Sequence, residues 1–163
     1  MRNWILKNSN RVRHILNLWP PFLFSGIRIT EISPDYRRCR AELKNWPGTR
    51  NANGSQFGGS LFSMTDPVYS LMLMGLLGER YFIWDKSAHI DFIKPGRSKI
   101  FLECMIGDDL LHDIRTHTAN GEKYLPEIEM ILTDEKGDII AKVKRTLYIR
   151  LKPAFRPSEH SAS

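Results

Sequence analysis

One acid stands inside an otherwise greasy run. Asp66 lies in residues 51–78, NANGSQFGGSLFSMTDPVYSLMLMGLLG, which open on small and polar residues and pass through Gly58-Gly59 into an apolar stretch. The first amides of a helix lack carbonyl partners and carry the positive end of its dipole. Glycines let a reacting group come close to that backbone. Gly58 and Gly59 at a helix start can therefore stabilise a developing oxyanion. Asp66, about two turns further in, can activate a water, attack a carbonyl or orient another group. Asn51, in the preceding loop, can hydrogen-bond a carbonyl or a water. Each position also has a plainer use. A Gly-Gly pair suits close packing of helix on sheet, Asp66 before Pro67 suits a helix N-cap with proline in the first turn, and Asn is common in turns.

Other chemistries find less support. His14, His89, His112, His117 and His160 do not fall at metal-ligand spacings, so no metal site is expected. Ser60 and Ser63 sit in no nucleophile elbow, and no Gly-Lys-Ser/Thr follows the glycines as a phosphate loop would require. Cys39 and Cys104 form no CxxC pair, and two cysteines make no disulfide framework, so a reducing, cytoplasmic setting is the expectation. The chain has 163 residues with 42% hydrophobic, enough for one domain with a core. Its formal charge of +6 favours anionic partners, but the basic residues are dispersed and no aromatic ladder accompanies them, so a nucleic-acid partner is not expected. No membrane span is expected either, because the apolar run 68–77 is too short.

The elements that must hold these residues follow from periodicity. Residues 2–19 place Val12, Ile15, Leu16 and Trp19 on one helical stripe, ended by Pro20-Pro21. This helix packs on the outside of the domain or, with Arg2, Lys7, Arg11 and Arg13 on its polar side, lies on a membrane surface. Two strands follow, at 26–32 and 36–44, the second alternating Cys39, Ala41 and Leu43 with Arg38, Arg40 and Glu42. The central helix starts near 57–58, bends at Pro67 and is capped by Gly78. Strands are read at 84–94 and 99–106, then a short helix from an Asp108 N-cap to about 118. Two further strands follow at 123–134 and 139–151. Short turns between consecutive strands imply an antiparallel sheet, and one long apolar helix needs that sheet to wrap it, an α+β layout. The expected organisation is an N-terminal helix over 1–24, one domain over 25–152 and a loose tail over 153–163.

The pattern resembles the hotdog-fold thioesterases. The likeness is to the branch related to the phenylacetate-pathway acyl-CoA thioesterases and to an uncharacterised hotdog group sharing a GS-x-F-G-G-S-L-F helix start. That branch carries an Asn, a Gly, then His-Gly-Gly, then an Asp nine positions past the His. Asn51, Gly54, Phe57-Gly58-Gly59 and Asp66 stand at the matching spacing, and the strand from His89 to the Pro95-Gly96 turn is similar too. The resemblance spans about residues 25–150. It implies a hotdog fold with about six antiparallel strands around a long central helix. It also implies a homodimer or dimer of dimers with the site between subunits, and hydrolysis of an acyl-CoA or related acyl thioester. Asp66, Asn51 and Gly59 would be catalytic, and Phe57, Gly58 and Ser60 would bind substrate. No cofactor is implied beyond coenzyme A within the substrate, whose phosphates would meet basic residues among Arg37, Arg50, Lys94, Arg97 and Lys144. The departure is Phe57, where the family has His. Phe neither donates nor accepts a proton, so the alternative is a non-catalytic acyl-binding protein. A hydratase acting on an enoyl thioester is disfavoured, since no His lies near the helix motif.

Overall fold

The computed structural model describes residues 2–157; His160 and the last six residues of the expected tail lie outside this range. The N-terminal segment folds as three helices, not one: α1 (Arg2–Leu6), α2 (Ser9–Leu18) and α3 (Pro20–Ser25). The first break falls at Asn8, whose side-chain oxygen accepts the Arg11 amide at 3.1 Å and so caps α2. Pro20 and Pro21 do end α2, but they also open α3, where a missing N–H costs nothing. Asn17 ties α2 to the sheet, donating to Ile29 O at 2.9 Å and accepting from Ile29 N at 2.7 Å.

The sheet is antiparallel throughout. Its strands are β1 (Ile27–Ile32), β2 (Arg38–Leu43), β3 (Tyr81–Phe92), β4 (Ile100–Met105), β5 (Lys123–Tyr124), β6 (Glu127–Asp134) and β7 (Ile139–Leu151). The order is β1-β2-β4-β6-β7-β3, with the two-residue β5 beside β7. Six strands were anticipated. The extra one arises because the expected 123–134 strand is interrupted by Pro126, which cannot donate to a ladder. Helix α6 (Asp108–Thr118) has Gly107, not Asp108, at its N-cap; the two aspartates sit in its first turn, where they favour the dipole.

One face of the sheet curls around the central helix. Alternation puts Cys39, Ala41 and Leu43 of β2, Ile100, Leu102 and Cys104 of β4, and Ala141, Val143, Leu147 and Ile149 of β7 on this inner face, all buried. The helix supplies Leu61, Met64, Val68, Tyr69, Met72 and Leu73. The stretch Gly58–Arg80 is long and apolar enough, by length and composition alone, to cross a bilayer, but it serves as the core helix under this sheet. The bend expected at Pro67 is a full break. Helix α4 (Gly58–Ser63) ends at Met64, Thr65 and Asp66 form a turn with a cis Asp66–Pro67 peptide, and α5 (Val68–Leu77) begins after Pro67. Gly78 closes α5 with φ 67°, its amide reaching Met74 O.

Among the described residues, strand β3 is the edge of the sheet and pairs only with β7. A bulge between Asp85 and Ser87 leaves Lys86 unpaired. Directly paired residues share a face, so Asp85 opposite Leu147 and Ala88 opposite Arg145 both point to the inner face.

Candidate active site

The loop before α4 is pinned by buried Gln56. Its side-chain amide donates to Lys44 O and Ser98 O, both at 3.1 Å, and its backbone amide donates to Gly96 O at 2.8 Å. Gln56→Ala would take the Gln56 donor from Ser98 O and leave Lys44 O with only the 3.3 Å bond from Thr49 Oγ1 among side-chain donors, and should lower stability by about 1–3 kcal/mol in urea unfolding. Asn51 closes the loop on itself. Its Oδ1 accepts from Asn53 N (2.9 Å), Ser55 N (3.2 Å) and Ser55 Oγ (3.1 Å). Its side-chain oxygen is therefore occupied, and what Asn51 can offer a ligand is the Nδ2 donor.

Between this loop and the Pro95-Gly96 turn lies a cleft of about 420 Å³, lined by Asn51, Gln56, Gly58, Leu61, Phe92 and Pro95 among others. Helix α4 starts at its wall. The amides of Ser60 and Leu61 return to Phe57 O, while those of Gly58 and Gly59 donate to no acceptor among the described residues. The glycines let two exposed phenylalanine rings lie close against the helix start. A Cβ on Gly58 would lie 2.9 Å from Phe92 Cζ, and one on Gly59 would run into the Phe57 ring. Phe57 is itself 56% exposed and lies over Gly59, beside the free amides. Ser60 is buried and does not line the cleft.

Asp66 does not line the cleft of its own chain. Nor does it cap α5, which has no side-chain cap. Its half-exposed carboxylate faces Arg145, whose Nη1 is 3.4 Å from Asp66 Oδ2 and 3.6 Å from Asp85 Oδ2. The Arg145 side chain is 3% exposed. It also donates Nε (3.1 Å) and Nη2 (2.9 Å) to Thr65 Oγ1 and Nη2 to Phe62 O (3.3 Å). The guanidinium thus fills the gap in the broken helix and supplies donors to the buried Thr65 and the exposed Asp66 of the turn. Neither Arg145 nor Asp85 was singled out from the sequence. The signal for Arg145 was available, as an Arg in the middle of the row Ala141, Val143, Leu147, Ile149.

Burial pushes Asp85 above its ordinary value of 3.8, against the pull of Arg145 and with a further push from Asp66. Ser70 also pulls the value down, although its Oγ and Asp85 Oδ1 are both buried and fall outside hydrogen-bonding geometry. A carboxyl whose folded-state value is raised keeps its proton where the unfolded chain has released it. Its contribution to stability is full below 3.8 and is lost as pH rises through the folded value. Urea unfolding from about pH 4 to about pH 7 should show this decline, and Asp85→Asn should remove it.

The basic residues proposed for phosphate differ in availability. Arg37 is paired with Asp108 (2.8 Å), Lys94 with Asp138 (2.7 Å) and Lys144 with Glu127 (4.0 Å). Arg50 and Arg97 flank the loop, bonded to Asn45 Oδ1 and Asn53 O, and have no carboxylate partner among the described residues. No group of three His, Cys, Asp or Glu side chains able to hold a metal is present among them either. Burial raises the Cys39 thiol to about 12 and Cys104 well above its usual value, which makes both poor nucleophiles.

A curved antiparallel sheet around one central helix is the hotdog fold, and solved structures of the thioesterase superfamily share it. The chain belongs to the DUF4442 family, a domain of unknown function whose model matches residues 9–149. A Pseudomonas aeruginosa protein of unknown function, described as a probable thioesterase, superposes with a TM-score of 0.75 at 22% identity, covering 88% of this chain and 96% of its own. A thioesterase from Haemophilus influenzae gives 0.65 at 14% identity, covering 94% and 95%. Thioesterase superfamily member 2 from Mus musculus gives 0.60 at 16% identity, covering 86% and 96%. Comparison with curated proteins gives no match.

Proposed function

We propose that the protein hydrolyses an acyl thioester, an acyl-CoA or a close relative, as a cytoplasmic homodimer or dimer of dimers. The observation that carries this reading is Asp66: a half-exposed carboxylate at the break of a buried helix, capping nothing and held by a buried arginine. Thioesterase descriptions among solved structures of the same fold lend support. The acceptor-less Gly58 and Gly59 amides polarise the thioester carbonyl, and Asn51 Nδ2 donates to that oxygen or to the attacking water. Asp66 serves as general base or nucleophile. Phe92 and Leu61 contribute apolar wall for the acyl group, and Phe57, outside the cleft lining, lies over the neighbouring Gly59. Arg50 and Arg97, which have no carboxylate partner among the described residues, offer their remaining donors to the phosphates of coenzyme A.

The dimer enters because Asp66 lies outside the cleft of its own chain. Strand β3 has a free edge of 12 residues, and Phe92 on its inner face is 57% exposed. Such an edge is a pairing surface. Joining two β3 edges would bring Asp66 of one subunit to the cleft of the other. Purified protein assayed against a panel of acyl-CoAs of varied chain length tests the reading, with Asp66→Ala beside it. Hydrolysis by the parent that is lost in the variant supports it, and a parent at background rate overturns it.

One observation favours a second reading. The exposed Phe57 ring lies over Gly59, where the resembling family has an imidazole. A protein that binds acyl-CoA without cleaving it would show a thermal shift with acyl-CoA and no free thiol released.

A further inference from the structure

The N-terminal helices carry a surface that the proposed reaction does not use. From Leu18 to Phe24 the chain turns the corner between α2 and α3 with Leu18 72%, Trp19 42%, Leu23 49% and Phe24 75% exposed. Only Phe22 of this corner is buried, and it anchors the corner to the core. Trp46, 46% exposed, stands beside it, because its indole fills the space next to Gly26 at the end of α3. The sequence that builds this corner carries charges of one sign. The first acid of the chain is Glu31, whereas Arg2, Lys7, Arg11, Arg13 and Arg28 precede it. Arg11 and His14 share the outer face of α2 with Leu18, at i, i+3 and i+7. Lys44 is joined to α3's cap, its amide donating to Gly26 O at 2.9 Å. Arg13, Lys44 and Arg50 form no ion pair with a carboxylate among the described residues. The nearest acid on the neighbouring strand, Glu42, is engaged by Lys99 (3.4 Å) and Arg28 (4.0 Å).

We propose that this corner, exposed apolar and aromatic side chains on a cation-rich N-terminal segment, with Arg13 and Lys44 having no carboxylate partner among the described residues, docks the protein on an anionic lipid bilayer. Tryptophan, phenylalanine and leucine suit the boundary between headgroup and acyl chain, and Lys and Arg meet lipid phosphates. The charge complementarity selects an anionic bilayer over an apolar protein partner, because each cation near such a surface adds attraction that falls off within a Debye length. The attachment is peripheral and reversible. It is independent of whether the protein hydrolyses thioesters.

Flotation of the full chain with vesicles tests it. One set contains phosphatidylglycerol and phosphatidylcholine, the other phosphatidylcholine alone. The chain should float with the anionic vesicles at low salt, and stay behind with the neutral ones or at high salt. Leu18→Ser with Phe24→Ser, both at well-exposed positions, should lower the bound fraction about tenfold while the thermal transition is kept. Arg13→Glu with Lys44→Glu should weaken binding by a similar factor. Failure to float with either vesicle overturns the proposal, as does unchanged binding by the serine pair. A smaller mass for the serine pair in light scattering, with no lipid binding by the parent, also overturns it, since a second copy then covers the corner.

Discussion

Replacing Arg145 by Met should cost about 3–5 kcal/mol of stability, read by urea unfolding near neutral pH. The guanidinium is 3% exposed and reaches four groups: Thr65 Oγ1, Phe62 O, Asp66 Oδ2 and Asp85 Oδ2. Methionine fills similar volume but leaves Asp85, 17% exposed, without its cation. That carboxyl then either keeps an unpaired charge or takes a proton. A second replacement in the same chain, Asp85→Leu, removes the group left behind and should recover most of the loss. A cost below about 1 kcal/mol for the single change would show that the guanidinium is not what holds the helix break.

Asp66→Ala should lower acyl-CoA hydrolysis by about 10²–10⁴-fold while the fold stays intact, the range for loss of a positioned acid or base. Stability should fall far less than for Arg145, because the Asp66 carboxylate is 55% exposed and solvent screens its pairing. The proposed shared site makes a sharper prediction. On that proposal, mixing Asp66→Ala chains with Asn51→Ala chains, each expected to be inactive alone, would give hybrid dimers with one intact site. Activity should return to about a quarter of the parent's if subunits mix freely and sites are isologous. No recovery in a demonstrated hybrid would place both residues in a site within one chain.

Much of this architecture was legible in the sequence, because alternation and apolar periodicity are direct consequences of burial on one face. The 139–151 strand matches β7 at both ends. The helix start at Gly58 and its end at Gly78 follow from glycine chemistry alone. What escaped notice has identifiable causes. Asp85 sits before a bulge, and the period read back from Ala88, Ile90 and Phe92 puts it in solvent when Lys86 in fact restores it to the inner face. Arg145 interrupts the otherwise apolar row Ala141, Val143, Leu147 and Ile149, and what it pairs with lies about 80 residues away, at Thr65 and Asp66. Residues 2–19 look like one helix because the apolar stripe is strong, while the break depends on one local hydrogen bond, from the Arg11 amide to Asn8. The site was legible as spacing and not as geometry. Asn51, Gly58 and Asp66 are close in sequence, but Asp66 is separated from the cleft, and nothing in a spacing tells which subunit a side chain serves.

The kink at Lys86 has a bearing on selectivity. It divides the outer rim of β3 into two short straight runs, 81–85 and 87–92. A stray strand laid along the first run loses register on entering the second, so the rim is a poor template for open-ended growth into aggregates. A second copy of this chain would carry the same bulge, so the β3 pairing proposed above has to be accommodated at Lys86 of both strands.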